Sequence, residues 1–201
     1  MARTQGSRAD ITGPLVRQAA LRLFARDGYA AVSMRQIAAA VGVQVGTLYG
    51  YTPDKQALLA DLMREHMEGV IAAWRDSLGD GSGNGAEDPL ARLDRFVAVH
   101  IGSSLANVEG VFLAYMELRN LSPENFAMIA RLRRQYEDAL EAILRDGQAA
   151  GVMRISDTRL ATLALIAMLT GITNWYRDGG RLDRGHLVQI YCDLARGAVG
   201  A

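Results

Sequence analysis

The chain has a single cysteine, Cys192, so no internal disulfide can form, and a reducing compartment such as the cytoplasm fits. It has only three histidines, His66, His100 and His186, and they lie far apart. No Cys/His cluster therefore has metal-ligand spacing, and no metal site is expected. Long hydrophobic runs are also missing. The longest nearly apolar stretch, 160–172, is interrupted by Thr162 and Thr170. It falls short of the roughly 20 apolar residues that span a bilayer, so it reads as a buried helix and no membrane partner is expected. No apolar run follows the arginines of MARTQGSRAD, so no signal peptide is expected. The sequence has no nucleophile elbow, P-loop or dinucleotide fingerprint. An enzyme is not expected, and no cofactor is implied. His100 and Glu117 can be drawn as an acid–base pair, but only as one pairing among many. Alternation of apolar and polar residues, the mark of a half-buried strand, is absent as well.

What the sequence does hold is 201 residues, 50% apolar and 22% charged, enough for one or two domains with a proper core. Net charge is zero, but it is unevenly placed. Residues 1–57 carry seven basic side chains (Arg3, Arg8, Arg17, Arg22, Arg26, Arg35, Lys55) and three acidic ones (Asp10, Asp27, Asp54), giving +4. The rest has 15 basic and 19 acidic side chains, giving −4. A basic end joined to an acidic remainder suits a protein that meets phosphate at one end. Lys55 is the only lysine, which reflects composition more than function.

Helical signals follow one another along the chain. Pro14 suits a first helical turn, with Val16, Ala19, Ala20, Leu23 and Phe24 on one face and Gly28 as the stop. Ser33 and Gln36 form a capping box ahead of Met34, Ile37, Ala38 and Val41, and Gly42 ends that helix. A very short helix is expected over 44–51. Thr52-Pro53-Asp54 then leads into a long helix whose inner face runs Leu58, Leu59, Leu62, Met63, His66, Met67, Val70, Ile71 and Trp74. The stretch 79–87, with four glycines, reads as a linker. Asp88-Pro89 opens the next helix, and others are expected at about 107–120, 123–149, 157–177 and 184–198. The fold class is all-α, with about nine helices. An N-terminal domain is expected over 1–56 and a C-terminal domain over 57–201.

Helices of seven or eight residues do not persist alone in water. The pair 34–41 and 44–51, joined at Gly42 and braced by the preceding helix, has the layout of a helix-turn-helix. In that motif the second helix enters the major groove.

The stretch A-L-R-L-F-A-R-D-G-Y-A-A-V-S-M-R-Q-I-A-A-A-V-G-V-Q-V-G-T-L-Y-G-Y-T-P-D-K-Q-A-L-L resembles the DNA-binding domain of the TetR family. The matching positions include Leu23-Phe24, Gly28-Tyr29, Ser33, Ile37-Ala38, Val41-Gly42-Val43, Gly46-Thr47-Leu48-Tyr49, Tyr51, Pro53, Lys55 and Leu58-Leu59. The resemblance implies a regulator that binds double-stranded DNA at a palindromic operator. Gln44, Val45 and Thr47 then stand where base contacts are made. Gln reads adenine bidentately, and Val or Thr methyls meet the thymine methyl. Gly46 lets backbones approach closely. Tyr49 and Lys55 match the family's phosphate contacts, and the amides at 33–35 suit a phosphate, which adds Ser33 and Arg35. Tyr51 either joins this set or packs on the preceding helix. Gln44 is also an N-cap candidate, and Leu48 and Val43 read as core. Arg3 and Arg8 lie either in a minor-groove arm or in a plain tail. The sequence departs from the family at Thr52, where phenylalanine is usual, and at Gly50, where a larger residue is common. Both departures are expected to loosen the end of the reading helix, which would order fully only on DNA.

For the remainder, the resemblance implies a homodimer through the last two helices. Leu163, Gly171, Leu187, Ile190, Tyr191 and Leu194 are the candidate interface residues; the alternative is that they complete a monomer core. It also implies a small-molecule effector. Phe96, His100, Phe112, Tyr115, Met116, Tyr136, Met168, Asn174 and Trp175 are the candidate ligand-binding residues, or else plain core. Arg119, Arg131, Arg133 and Arg134 either meet an acidic ligand group or stay solvated. The segments M-E-L-R-N-L, R-R-Q-Y-E-D-A-L-E-A-I-L-R-D-G-Q-A-A-G and N-W-Y-R-D-G-G are similar to family members that respond to acyl-CoA thioesters. A hydrophobic, acyl-CoA-like effector follows from that. A repressor released by ligand is the expected function. The alternatives are an activator of the same fold, or a ligand-binding helical protein without DNA function.

Overall fold

The computed structural model describes residues 6–79 and 88–201, with side chains described from residue 12 onward. Arg3, the side chain of Arg8 and most of the expected linker at 79–87 lie outside the described residues. The described residues form nine α-helices and two 3-10 turns, with no strand. The helices are α1 (Gly6–Asp27), α2 (Met34–Val41), α3 (Val45–Leu48), α4 (Lys55–Ser77), α5 (Pro89–Ala106), α6 (Val108–Met116), α7 (Pro123–Ala149), α8 (Thr158–Thr170) and α9 (Arg184–Ala198). No single helix among the described residues is long and apolar enough to cross a membrane.

The chain gathers into two compact units. One runs up to Met67 and adds Glu109–Ala130; the other joins Glu68–Val108 to Arg131–Ala201. These units do not follow the single cut expected between residues 56 and 57. Most of α6 and the start of α7 pack with the helix-turn-helix instead.

In the first unit, Val16, Ala20 and Phe24 of α1 and Ile37 and Ala38 of α2 are buried, as their helical spacing predicts. Pro14 lies inside α1 rather than at its start, because the helix begins at Gly6. Proline's ring is exposed there, and the missing N–H costs one bond in a helix that continues past it. The capping box of α2 is formed: Ser33 Oγ accepts the Gln36 N–H, and Gln36 Oε1 accepts the Ser33 N–H at 2.8 Å. Gly42 closes α2 at φ +77°, and its N–H reaches back to Ala38 and Ala39 carbonyls. A side chain at that φ is strained, which is why glycine ends this helix.

The second unit is built on α5, packed against α8 and α9. Asp88 caps α5 by accepting the Leu90 N–H, with Pro89 at the first helical position. The expected helices at 107–120 and 157–177 are each shorter, ending in 3-10 turns at Leu118–Asn120 and Gly171–Asn174. Gly147 stands near the end of α7, where the chain reverses and Met153 folds back. A Cβ at Gly147 would lie 2.7 Å from Met153 Cγ.

Candidate nucleic-acid interface

The turn at Gly42 leads through Gln44 into α3, a helix of only four residues. Leu48 is fully buried and anchors it, while Gln44, Gly46 and Thr47 are exposed and Val45 is half-buried. One apolar side chain faces in and a short polar edge faces out. Gln44 is the N-cap residue, but its side chain makes no capping bond, so the amide remains available. A Cβ at Gly46 would meet nothing within 4 Å. The packing around α3 leaves room for a side chain there, so glycine is not required by the fold at this position.

The helix expected over 44–51 ends at Leu48. Gly50 N–H bonds to Thr47 O at 3.2 Å and Tyr51 N–H to Leu48 O at 2.9 Å, i→i+3 turns that tighten the chain. Tyr49 is 54% exposed beyond that end. Tyr51 is half-buried, and its ring lies against α1, 3.4 Å from where a Cβ on Gly13 would stand. Thr52, in place of the bulky anchor, is buried. Its Oγ1 donates to Asp54 O at 2.9 Å and its N–H to Leu48 O at 3.1 Å. The junction is held by hydrogen bonds where the family ordinarily uses an aromatic ring.

Ser33 spends its hydroxyl on the capping box, and Arg35 is exposed on α2. Lys55 is placed differently from what the resemblance implies. Its Nζ donates to Tyr29 O at 2.9 Å and Val32 O at 2.8 Å, and lies 4.2 Å from the Tyr29 ring centroid. The ammonium ties the start of α4 to the α1–α2 turn rather than standing open to a phosphate.

The expected effector residues fall into separate groups. In the second unit Phe96, His100 and Tyr136 come together and are buried. Phe96 stacks on Tyr136 at 4.9 Å, and Trp74 meets its edge at 5.2 Å. His100 Nδ1 lies 3.1 Å from the Tyr136 hydroxyl, and Nε2 3.1 Å from Thr170 Oγ1. Both ring nitrogens are satisfied, so this is a packed polar–aromatic core. Met168 is half-buried on α8. Asn174 and Trp175 are exposed, and Trp175 lines an open cleft of about 290 Å³ with Tyr176, Arg177, Gly180, Arg181 and Leu182. In the first unit, Phe112, Tyr115 and Met116 lie exposed on α6. The pair drawn from His100 and Glu117 finds no support, since Glu117 binds the Tyr29 N–H and Asn120.

Of the expected dimer residues, Leu163 on α8 and Leu194 on α9 are exposed, at 43% and 50%. Leu160, one turn before Leu163, is 64% exposed, and Ile190 is half-buried. Leu187 and Tyr191 are buried within the unit instead. They sit on the inner face of α9 with Cys192 and Ala195, so their apolar surface is used by the monomer core. Gly171 follows α8, and a Cβ there would meet nothing within 4 Å.

Residues 16–62 match the model described as bacterial regulatory proteins of the tetR family, and residues 86–199 match the tetracyclin repressor-like C-terminal domain. The chain belongs to the TetR family. It is a DNA-binding transcriptional regulator, and family repressors bind DNA operators. The HTH-type transcriptional repressor KstR2 of Rhodococcus jostii (strain RHA1) is 26% identical, over 87% of this chain and 84% of its own. A solved tetR-family regulatory protein from Rhodococcus RHA1 superposes with a TM-score of 0.84 at 28% identity, covering 94% of this chain and 96% of that one. AibR, solved with isovaleryl coenzyme A and operator DNA, shares the fold at a TM-score of 0.79 and 23% identity, over 91% and 97% of the two chains. In this TetR-family chain, the motif shows Tyr29 and Gln56 but not what they bind: Tyr29 N–H meets Glu117, 88 residues away, and Gln56 meets Asn120, 64 residues away, and no local pattern announces either pairing.

Proposed function

We propose that the protein is a repressor that binds a palindromic operator as a homodimer in the cytoplasm and is released by an acyl-CoA-like effector. The observation that carries the reading is the edge of exposed Gln44, Gly46 and Thr47 with half-buried Val45, presented by a helix that the buried Leu48 pins in place. A single reading head covers one half-site, and the motif ordinarily works in pairs about 34–36 Å apart. The exposed leucines of α8 and α9 supply the apolar surface that a second copy would cover. Charge substitution there, Leu163→Glu with Leu194→Glu, is expected to give monomers by sedimentation and to abolish operator binding while leaving the helical content intact.

For the effector, the cleft beside Trp175 joins an exposed indole to two arginines, Arg177 and Arg181. That suits the base and phosphates of a nucleotide-bearing thioester. AibR, solved with isovaleryl coenzyme A and operator DNA, supports an acyl-CoA as the ligand class, and the sign of its effect on operator binding is read from titration. The role is non-catalytic: ligand acts by its differential affinity for DNA-competent and released states. Titrating octanoyl-CoA into the operator complex tests this. Release without thioester hydrolysis supports effector-driven repression. Tighter operator binding on addition of ligand would instead favour the activator reading. The buried, hydrogen-bonded Thr52 counts against a decayed reading head.

A further inference from the structure

Tyr29 occupies the turn between α1 and α2, and polar groups from two distant stretches close on it. Glu117, just past α6, is buried, and its Oε1 accepts the Tyr29 N–H at 3.2 Å. Its Oε2 accepts from Asn120 Nδ2. Gln56, in the first turn of α4, spans the same gap. Its Nε2 donates to Asn120 O at 2.8 Å and to the Tyr29 hydroxyl at 3.3 Å. Its Oε1 accepts the Ser122 N–H at 3.1 Å and Asn125 Nδ2 at 3.4 Å. A primary amide offers two donor hydrogens and two acceptor lone pairs, and Gln56 uses all four. The orientation is dictated, because the Ser122 N–H can only donate and the Asn120 carbonyl can only accept. Lys55 carries the connection onward through Tyr29 O and Val32 O to the cap of α2 at Ser33.

We propose that this cluster is the latch coupling segment 117–125 to the reading head, with Gln56 and Glu117 as positioning residues. Phe112, Tyr115 and Met116 stand on α6 immediately before Glu117, exposed and adaptable. A shift of α6 by about 1 Å takes hydrogen bonds of this length out of range. It would also leave a buried carboxylate short of partners, so latched and unlatched arrangements are discrete. The effector half of this inference rests on the effector-released reading above; the coupling half does not.

The test uses the full chain. Hydrogen exchange without effector compares wild type with Gln56→Met, which keeps length but removes all four bonds. Amides of 117–125 and of α2–α3 are expected to exchange at least fivefold faster together. Glu117→Leu should do the same, and Glu117→Gln should stay near wild type, since its amide oxygen still accepts the Tyr29 N–H and its NH2 is accommodated by a turn of the Asn120 amide that presents Oδ1. If 117–125 loosens while α2–α3 stays within twofold of wild type, the latch is overturned. In a second arm, octanoyl-CoA is added to the operator complexes. Gln56→Met is expected to bring the ratio of operator Kd with and without thioester to within twofold of one. Its affinity for octanoyl-CoA should change less than threefold. An unaltered ratio in that variant also overturns the proposal. A wild type that ignores the thioester sinks the effector reading alone, and the exchange arm still decides the coupling.

Discussion

Lys55 and Arg35 separate two jobs that a basic residue can do at a DNA-binding head. Lys55 is bound to two carbonyls and lies over a ring, so Lys55→Met is expected to cost about 1–3 kcal/mol of folding stability in thermal or denaturant melts. It should leave the salt dependence of operator binding unchanged. Arg35, exposed on α2, should behave oppositely: Arg35→Ala lowers the slope of log Kd against log salt by about one and leaves stability alone. Gln44→Ala or Thr47→Ala should weaken specific binding by about 1–3 kcal/mol and relax sequence preference at one base pair. His66 offers a pH signature. It is buried, and burial holds its imidazole down at about 4. The unfolded chain, with an imidazole near 6.5, binds the proton first. Stability is therefore untouched above about pH 6.5 and is lost as pH falls from there toward 4, by up to about 3 kcal/mol. His66→Gln should flatten that window in urea melts at pH 7 and pH 5. The lone Cys192 is buried, and burial pushes its thiol up to about 11. Thiol reagents should label it slowly in the native protein and fully in denaturant.

The helices show which signals are local and which are not. Ser33 with Gln36, Gly42 at the end of α2 and Asp88 ahead of Pro89 are caps, written within three or four residues, and each forms as the sequence predicts. Pro14 misled because a proline can also be carried inside a longer helix. The end of α3 misled because Gly50 and Tyr51 leave the helix through i→i+3 turns, and the buried Thr52 closes the segment with its N–H on Leu48 O. Leu187 and Tyr191 share periodicity with Leu194, yet spacing alone does not say which side of α9 meets α5. Aromatics at helical spacing were equally ambiguous: Phe96 and Tyr136 are buried and stacked on each other, while Trp175 is exposed beside a cleft. At the end of α7 the packing is tight enough to test. Gly147→Ala drives a Cβ into the Met153 side chain, which is itself buried. The overpacking should cost about 1–3 kcal/mol in denaturant melts, and Gly147→Ala with Met153→Ala should recover part of it.

For the whole molecule, the zero net charge conceals a division of labour. A basic N-terminal region carries the reading edge, and an acidic remainder carries the exposed leucine rows and the Trp175 cleft. The proposed repressor reads its operator with two such edges at once. That makes symmetry the central claim. The most direct test is equilibrium binding of the purified protein to genomic fragments it selects, followed by separation or scrambling of the half-sites across a salt series. The account predicts a palindrome with half-sites one helical turn apart. It also predicts affinity that collapses when either half is scrambled and falls steeply with salt. Binding that ignores half-site symmetry and hardly changes from low to moderate salt would contradict it.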